Sequence, residues 1–168
     1  MTRIFWISFW AAIGVYVTMV TWSLPFIALS ADGLAPFDVR PIGYSFDEAS
    51  SFLTAITEEG RVFYKDIQLK LDLLYPALLC LALILGFQIL LGRRWATIFG
   101  LVALMGAASD YFENYLVLVM LNTPIDLLEE NLVGLASFWT KSKSIATTIC
   151  FTVLVAGSIR AAYRRWIR

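Results

Sequence analysis

The sequence predicts an all-α polytopic membrane protein: a bundle of four transmembrane helices with one short amphipathic helix in its first outer loop. Three observations lead there. Of 168 residues, 60% are hydrophobic and only 15% charged, where a soluble domain is closer to half and a quarter. The apolar residues collect in four blocks, each near or above the roughly 20 residues that a helix needs to cross about 30 Å of hydrocarbon. Basic and acidic residues then separate onto alternate sides of those blocks. The length suits one domain, so residues 1–168 read as a single transmembrane unit.

The first block, about residues 4–29, is longer than the apolar core of a cleaved signal peptide, and Arg3 is a thin basic head for one. It is expected to remain as a span, although ALSADG at residues 28–33 faintly resembles a cleavage site. The outer loop, residues 30–70, begins with turn-formers. Ser45 and Glu48 then fit a capping box, in which each side chain satisfies the other's orphan backbone donor. Phe46, Ala49, Leu53 and Ile56 follow at helical spacing, and Gly60 is the expected stop. Such a helix lids the bundle or rests on lipid.

The second span, about 71–92, continues a polar stripe that starts outside it. Arg61, Lys65, Gln68, Asp72 and Tyr75 recur on one helical face. Pro76 leaves a carbonyl one turn earlier without its usual donor, which membrane helices tolerate where neighbours repair it.

The third span, about 96–121, divides sharply. Ala103, Gly106, Ala107, Asp110, Glu113, Asn114 and Val117 share one face, while Ile98, Leu101, Met105, Phe112, Leu116 and Val119 share the other. Small residues let helix backbones approach closely, so the polar face is expected to turn inward, with Asp110 near mid-depth. The fourth span, about 138–159, carries Ser137, Lys141, Ser144, Thr148 and Thr152 on one stripe, and Lys143, Thr147 and Cys150 on its neighbour. Lys141 sits better on the polar stripe and Lys143 lies slightly deeper; spacing does not choose between them.

Orientation follows from the basic residues. Arg3, Arg93, Arg94, Arg160, Arg164, Arg165 and Arg168 fall on one side, and the long acidic stretches on the other. The positive-inside rule then places both termini in the cytoplasm. Tryptophans near the span ends agree with headgroup-level anchoring. Cys80 and Cys150 lie inside spans and suggest packing, with no disulfide framework. The chain contains no histidine, which excludes histidine-ligated haem, chlorophyll or zinc. With no phosphate-binding glycine loop and no paired-cysteine motif, no cofactor or metal is expected. Nothing points to nucleic acid.

An up-down bundle brings the inward stripes together in the outer half of the membrane. The expected polar network holds Asp72, Tyr75, Asp110, Glu113, Asn114, Lys141 or Lys143, Ser144 and Thr147 or Thr148, with Thr18 and Thr21 at similar depth. Pairing is needed, because an isolated charge at a helix centre costs about 2.5–3.5 kcal/mol on insertion scales. Carboxylates one turn apart repel. One is therefore expected to be ionised against lysine, and the other protonated or hydrogen-bonded to Asn114 or Tyr75. Such a cluster suits a membrane-complex subunit or a lipid- or amphiphile-binding protein, with membrane lipid and other membrane-protein subunits as partners. Two alternatives stand beside it. One is a membrane enzyme using Asp110 and Glu113 as general acid and base on a lipid-like substrate. The other is a proton-coupled transporter, for which four helices are few.

The segments GYSFDEA, EEGRVFY, LDLLYP and DYFEN, with Lys143 after them, resemble a family of small bacterial four-helix integral membrane proteins. The resemblance implies a bacterial inner-membrane location, the same topology and a shortlist: Gly60, Arg61, Tyr64, Asp72, Tyr75, Pro76, Asp110, Glu113, Asn114 and Lys143. It implies no activity. More remotely, the chain is similar to four-helix sterol isomerases and sigma-2-type ligand-binding membrane proteins, which also hold acidic residues in a membrane cavity; the histidine of those isomerases has no counterpart here.

Overall fold

The structure, a computed structural model, describes residues 2–166. Arg168, counted above with the basic side, lies outside them, as does the side chain of Arg165. The described residues are helical, with no strand among them. Four helices are long and apolar enough to cross a membrane: Thr2–Leu29, Glu58–Leu90, Arg93–Asn122 and Glu130–Trp166. They pack in chain order, first on second, second on third, third on fourth, and the second also touches the fourth. The "loop end" below is the end with residues 30–57 and 123–129; the "terminal end" is the other.

The second helix starts at Glu58, well before residue 71. Thr57 is extended and its hydroxyl accepts the Gly60 N–H at 3.1 Å, which caps the new helix. Gly60 is therefore not the stop of the outer-loop helix. That helix, Phe46–Ala55, ends where Ile56 turns extended. Gly60 is glycine for a different reason: a Cβ there would lie 2.4 Å from the Ser30 Cβ, so only a bare backbone lets the second helix start against the end of the first. The capping box forms as expected, with Glu48 N–H to Ser45 Oγ at 3.2 Å and Ser45 N–H to Glu48 Oε2 at 2.7 Å. These backbone donations hold the Glu48 carboxyl below its ordinary range.

The outer-loop helix closes the loop end. Ala49, Phe52 and Leu53 are buried with Ile27, Phe37, Tyr44, Tyr64, Met120 and Val133 in one apolar cluster. Phe37 meets Tyr44 and Phe52 at centroid distances of 4.8 and 4.9 Å, and the Arg40 guanidinium lies 5.8–5.9 Å from three of these rings. Arg61 ties the cap to the bundle by donating to the carbonyls of Leu121 at 2.6 Å and Leu53 at 2.8 Å, both near helix C-termini that need donors. Gly43, at φ +81°, brings the loop onto the fourth helix. A Cβ there would stand 2.5 Å from Ser137 Oγ, which instead accepts the Tyr44 N–H at 2.9 Å.

Pro76 continues the second helix, and the repair is visible. The carbonyl it leaves free is that of Asp72, four residues earlier, and Asn114 Nδ2 of the third helix donates to it at 3.3 Å. Tyr111 Oη donates to the next carbonyl, Leu73, at 3.0 Å. The first and second helices each contain one wide π-turn, Met19–Ser23 and Tyr64–Gln68, and the two turns pack against each other. Towards the terminal end the interior is apolar: Cys80, Leu83, Phe87, Ala96, Ala103 and Cys150 cluster together, and both cysteines are free. On the third helix Ile98, Leu101, Met105 and Phe112 face out as expected, but Leu116 is buried against the cap.

Candidate functional site

Three helices bring charges together just below the cap. Lys143 of the fourth helix places its Nζ 2.5 Å from Glu113 Oε2 and 3.2 Å from Asp110 Oδ1 of the third. Glu113 is fixed further by Thr140, one turn before the lysine, whose Oγ1 donates to Glu113 Oε1 at 2.7 Å. Gly106 allows this closeness; a Cβ on it would be 3.1 Å from that of Ala146. The side chains differ in access. Glu113 is 1% exposed, Asp110 13% and Lys143 16%. Asp110 and Lys143 thus form the reachable edge of the group and Glu113 its sealed interior.

A second acidic centre adjoins it. Asp72 is buried in the second helix and accepts from Gln68 Nε2 at 2.8 Å. Gln68 is oriented in turn by Ser23 of the first helix, whose hydroxyl donates to Gln68 Oε1. Asp38, in the 3-10 turn Phe37–Val39, accepts the hydroxyl of the buried Tyr64 and lies beside Asp72. Two carboxylates, Asp110 and Glu113, thus hold one ammonium group, Lys143, with the Asp72 and Asp38 pair in the same neighbourhood. Tyr44, on the loop, turns its hydroxyl towards Glu113 and Thr140. Burial first, then the charge of Glu113, pushes that phenol well above its ordinary value, so it stays a neutral O–H. Its Oη is buried and has no hydrogen-bond partner among the described residues.

The sequence-predicted residues divide into three groups. Asp72, Asp110, Glu113 and Lys143 meet in the cluster, and Asn114 supports it by donating to the Asp72 carbonyl at 3.3 Å while lying beside the Asp110 carboxyl. Lys141 does not take part. It is exposed, and its stem lies over Gly43 and Ser137. Thr148 bonds within its own helix, its Oγ1 donating to the backbone carbonyl of Ser144 at 2.7 Å, and that carbonyl is the part Ser144 plays. Thr18 and Thr21 likewise return to Gly14 and Val17; Met19 and Ser23 represent the first helix instead. Tyr75 hydrogen-bonds to no carboxylate; its ring stacks on Tyr16 at 5.8 Å. Asp110 and Glu113 share the lysine, and Asp110 has Asn114 beside it as a second partner.

Tyr75 and Thr147 belong to a neighbouring feature. An apolar groove of about 440 Å³ runs between the first, second and fourth helices, within the range usual for small-molecule sites. Phe5, Phe9 and Leu154 line it near the terminal end, Ala12, Leu79 and Ala82 its middle, and Tyr16, Tyr75 and Thr147 its upper part. Thr147, Leu79 and Leu83 also line a small cavity that reaches Asp110. That cavity is only about 20 Å³, so Thr147 stands between the groove and the polar cluster.

Sequence reasoning missed Asp38, Tyr44, Ser23 and Thr140, whereas Tyr64 stood on the shortlist that the resemblance implies. A usable signal existed for Thr140 alone, one helical turn before Lys143 on the same face.

No family model matches the chain, and neither does any curated protein or solved structure.

Proposed function

We propose that this is an amphiphile-binding integral membrane protein, with both termini cytoplasmic, that seats an apolar chain in the groove and a polar head beside Asp110. The observation that carries this reading is the junction at Thr147 between an apolar groove and a buried charged cluster. A purely structural ion pair needs no such groove. Helices in lipid gain little from cross-helix hydrogen bonds, about 0.6 kcal/mol on average, so a network with a surplus of carboxylates is an expensive way to set register. Catalysis by Glu113 is less well supported, since that side chain is enclosed by Thr140 and Lys143. A substrate in the groove would reach Asp110 first.

The test is to block the groove, which Ile13 and Thr147 both line, without altering a charged residue of the cluster. Ile13→Trp fills its middle and Thr147→Phe its upper end; both side chains are only partly buried. Lipid retained through purification in an uncharged detergent is measured by native mass spectrometry. Both variants should fold, by circular dichroism, and lose the bound lipid of the parent. A parent protein with no retained lipid, or blocked variants that keep it at the parental ratio, would remove the amphiphile reading and leave the subunit role.

A further inference from the structure

The groove and the charges beside it also select the head of the bound molecule. We infer that the site takes an amphiphile with a positively charged nitrogen head, a long-chain amine or quaternary ammonium, and discriminates against an anionic one. This rests on the groove reading above and goes further than it.

The argument is one of charge balance and geometry. Lys143 is the one basic side chain in contact with the cluster, and it is already within 3.2 Å of two carboxylates. Asp72 and Asp38 lie side by side, and carboxyl groups so close share a proton, so the pair adds one further negative charge at most. An anionic head entering at Asp110 would meet a field that is already negative, and like charges in a poorly solvated site repel strongly. A cationic head relieves that surplus. Asp110 is the carboxylate placed to receive it, because part of its side chain stays exposed and it borders the cavity that adjoins the groove. The second contribution comes from the stacked pair Tyr16 and Tyr75 at the groove's upper part, whose ring faces attract ammonium groups and quaternary nitrogens in particular.

Three probes of equal chain length separate the possibilities: dodecyltrimethylammonium, dodecanol and dodecyl sulfate, each titrated below its micelle concentration into the full-length protein in an uncharged detergent. The ammonium probe should bind about tenfold or more tightly than the alcohol, as befits a charge-assisted contact, and the sulfate more weakly than either. Asp110→Asn should abolish the ratio by which the cation is preferred over the alcohol. Where that variant does not fold, Tyr16→Leu serves; Tyr16 is 49% exposed, and its loss should weaken the ammonium probe about threefold more than the alcohol. Equal binding of ammonium and alcohol by the parent overturns the inference about the head and leaves the groove. Tightest binding of the sulfate overturns it in favour of Lys143 as an anion receptor. Binding of none of the three overturns both.

Discussion

In the half of the bundle nearer the cap, four polar pairs bond from helix to helix, Thr140 to Glu113, Lys143 to Asp110, Asn114 to the Asp72 backbone and Ser23 to Gln68, beside hydroxyls such as Thr21 that return to their own helix. In the half nearer the termini, hydroxyls turn back onto their own helices, as Ser8 does to Ile4, Thr97 to Arg93, Thr152 to Thr148 and Ser158 to Leu154. The first half is held by directional contacts and a water-side cap. The second is held by the fit of small and large apolar groups, such as Gly157 against Leu90, where an added Cβ would meet the neighbour at 3.3 Å. The contrast explains why the groove lies along the packing-only half. Apolar side chains adjust at low cost, whereas a charged cluster has few acceptable arrangements.

The strongest way to break this comparison is Lys143→Met. It leaves two buried carboxylates without their cation and should cost about 3–5 kcal/mol, read as a collapse of the thermal transition in detergent. Adding Asp110→Asn and Glu113→Gln should restore most of the loss, because the three groups act as one unit. If the triple variant is no better than the single one, the cluster is not a closed electrostatic unit.

Matched truncations sharpen the contrast. Phe52 and Phe87 are both fully buried. Phe52→Ala should cost about 3–5 kcal/mol, as in a water-soluble core. Phe87→Ala should cost less, since in lipid only packing is lost and no transfer from water is reversed. Equal losses in a denaturant titration would contradict the division. Gly43→Ala, which forces the loop off Ser137 at a positive φ, should cost about 1–3 kcal/mol and raise protease cleavage within the loop.

The smallest effect is at the cap's own helix. Ser45→Ala should cost about 1 kcal/mol. The largest cause of the lowered Glu48 carboxyl is the Ser45 backbone N–H, which the alanine variant keeps, and Ser45 Oγ goes on accepting the Glu48 N–H in acid. Melting temperatures of parent and Ser45→Ala protein should therefore differ at neutral pH and still differ, by less, once the carboxyl is protonated.

Much of this was legible in the chain. The four spans, the Ser45–Glu48 cap and the inward face bearing Asp110 and Glu113 follow from hydropathy and helical period alone. The lysine was not, for a physical reason. Ser144, Thr148 and Thr152 make a convincing polar stripe, but serine and threonine in a helix satisfy themselves on the carbonyl four residues back, so their periodicity does not mark a buried face. The buried face runs through Ala136, Thr140, Lys143, Thr147 and Cys150, which looks less polar and includes the residue that matters. Asp38 was out of reach for another reason: a short 3-10 turn in a loop carries no period, and only the folded cap brings it to Tyr64.

The paired π-turns carry one more consequence. Each inserts roughly one residue beyond the α-helical count, which rotates all that follows by about 100°. Because both lie at the same level, the first two helices change phase together, and Ser23 and Gln68 stay opposed. Shortening either helix by one residue there would unwind the match and swing its loop-end half out of alignment with its neighbour. Shortening both would keep the two in step with each other while turning Gln68 and Asp72 differently from Tyr64, so the extra residues act as a coupled gearing between the cap and the charges beneath it.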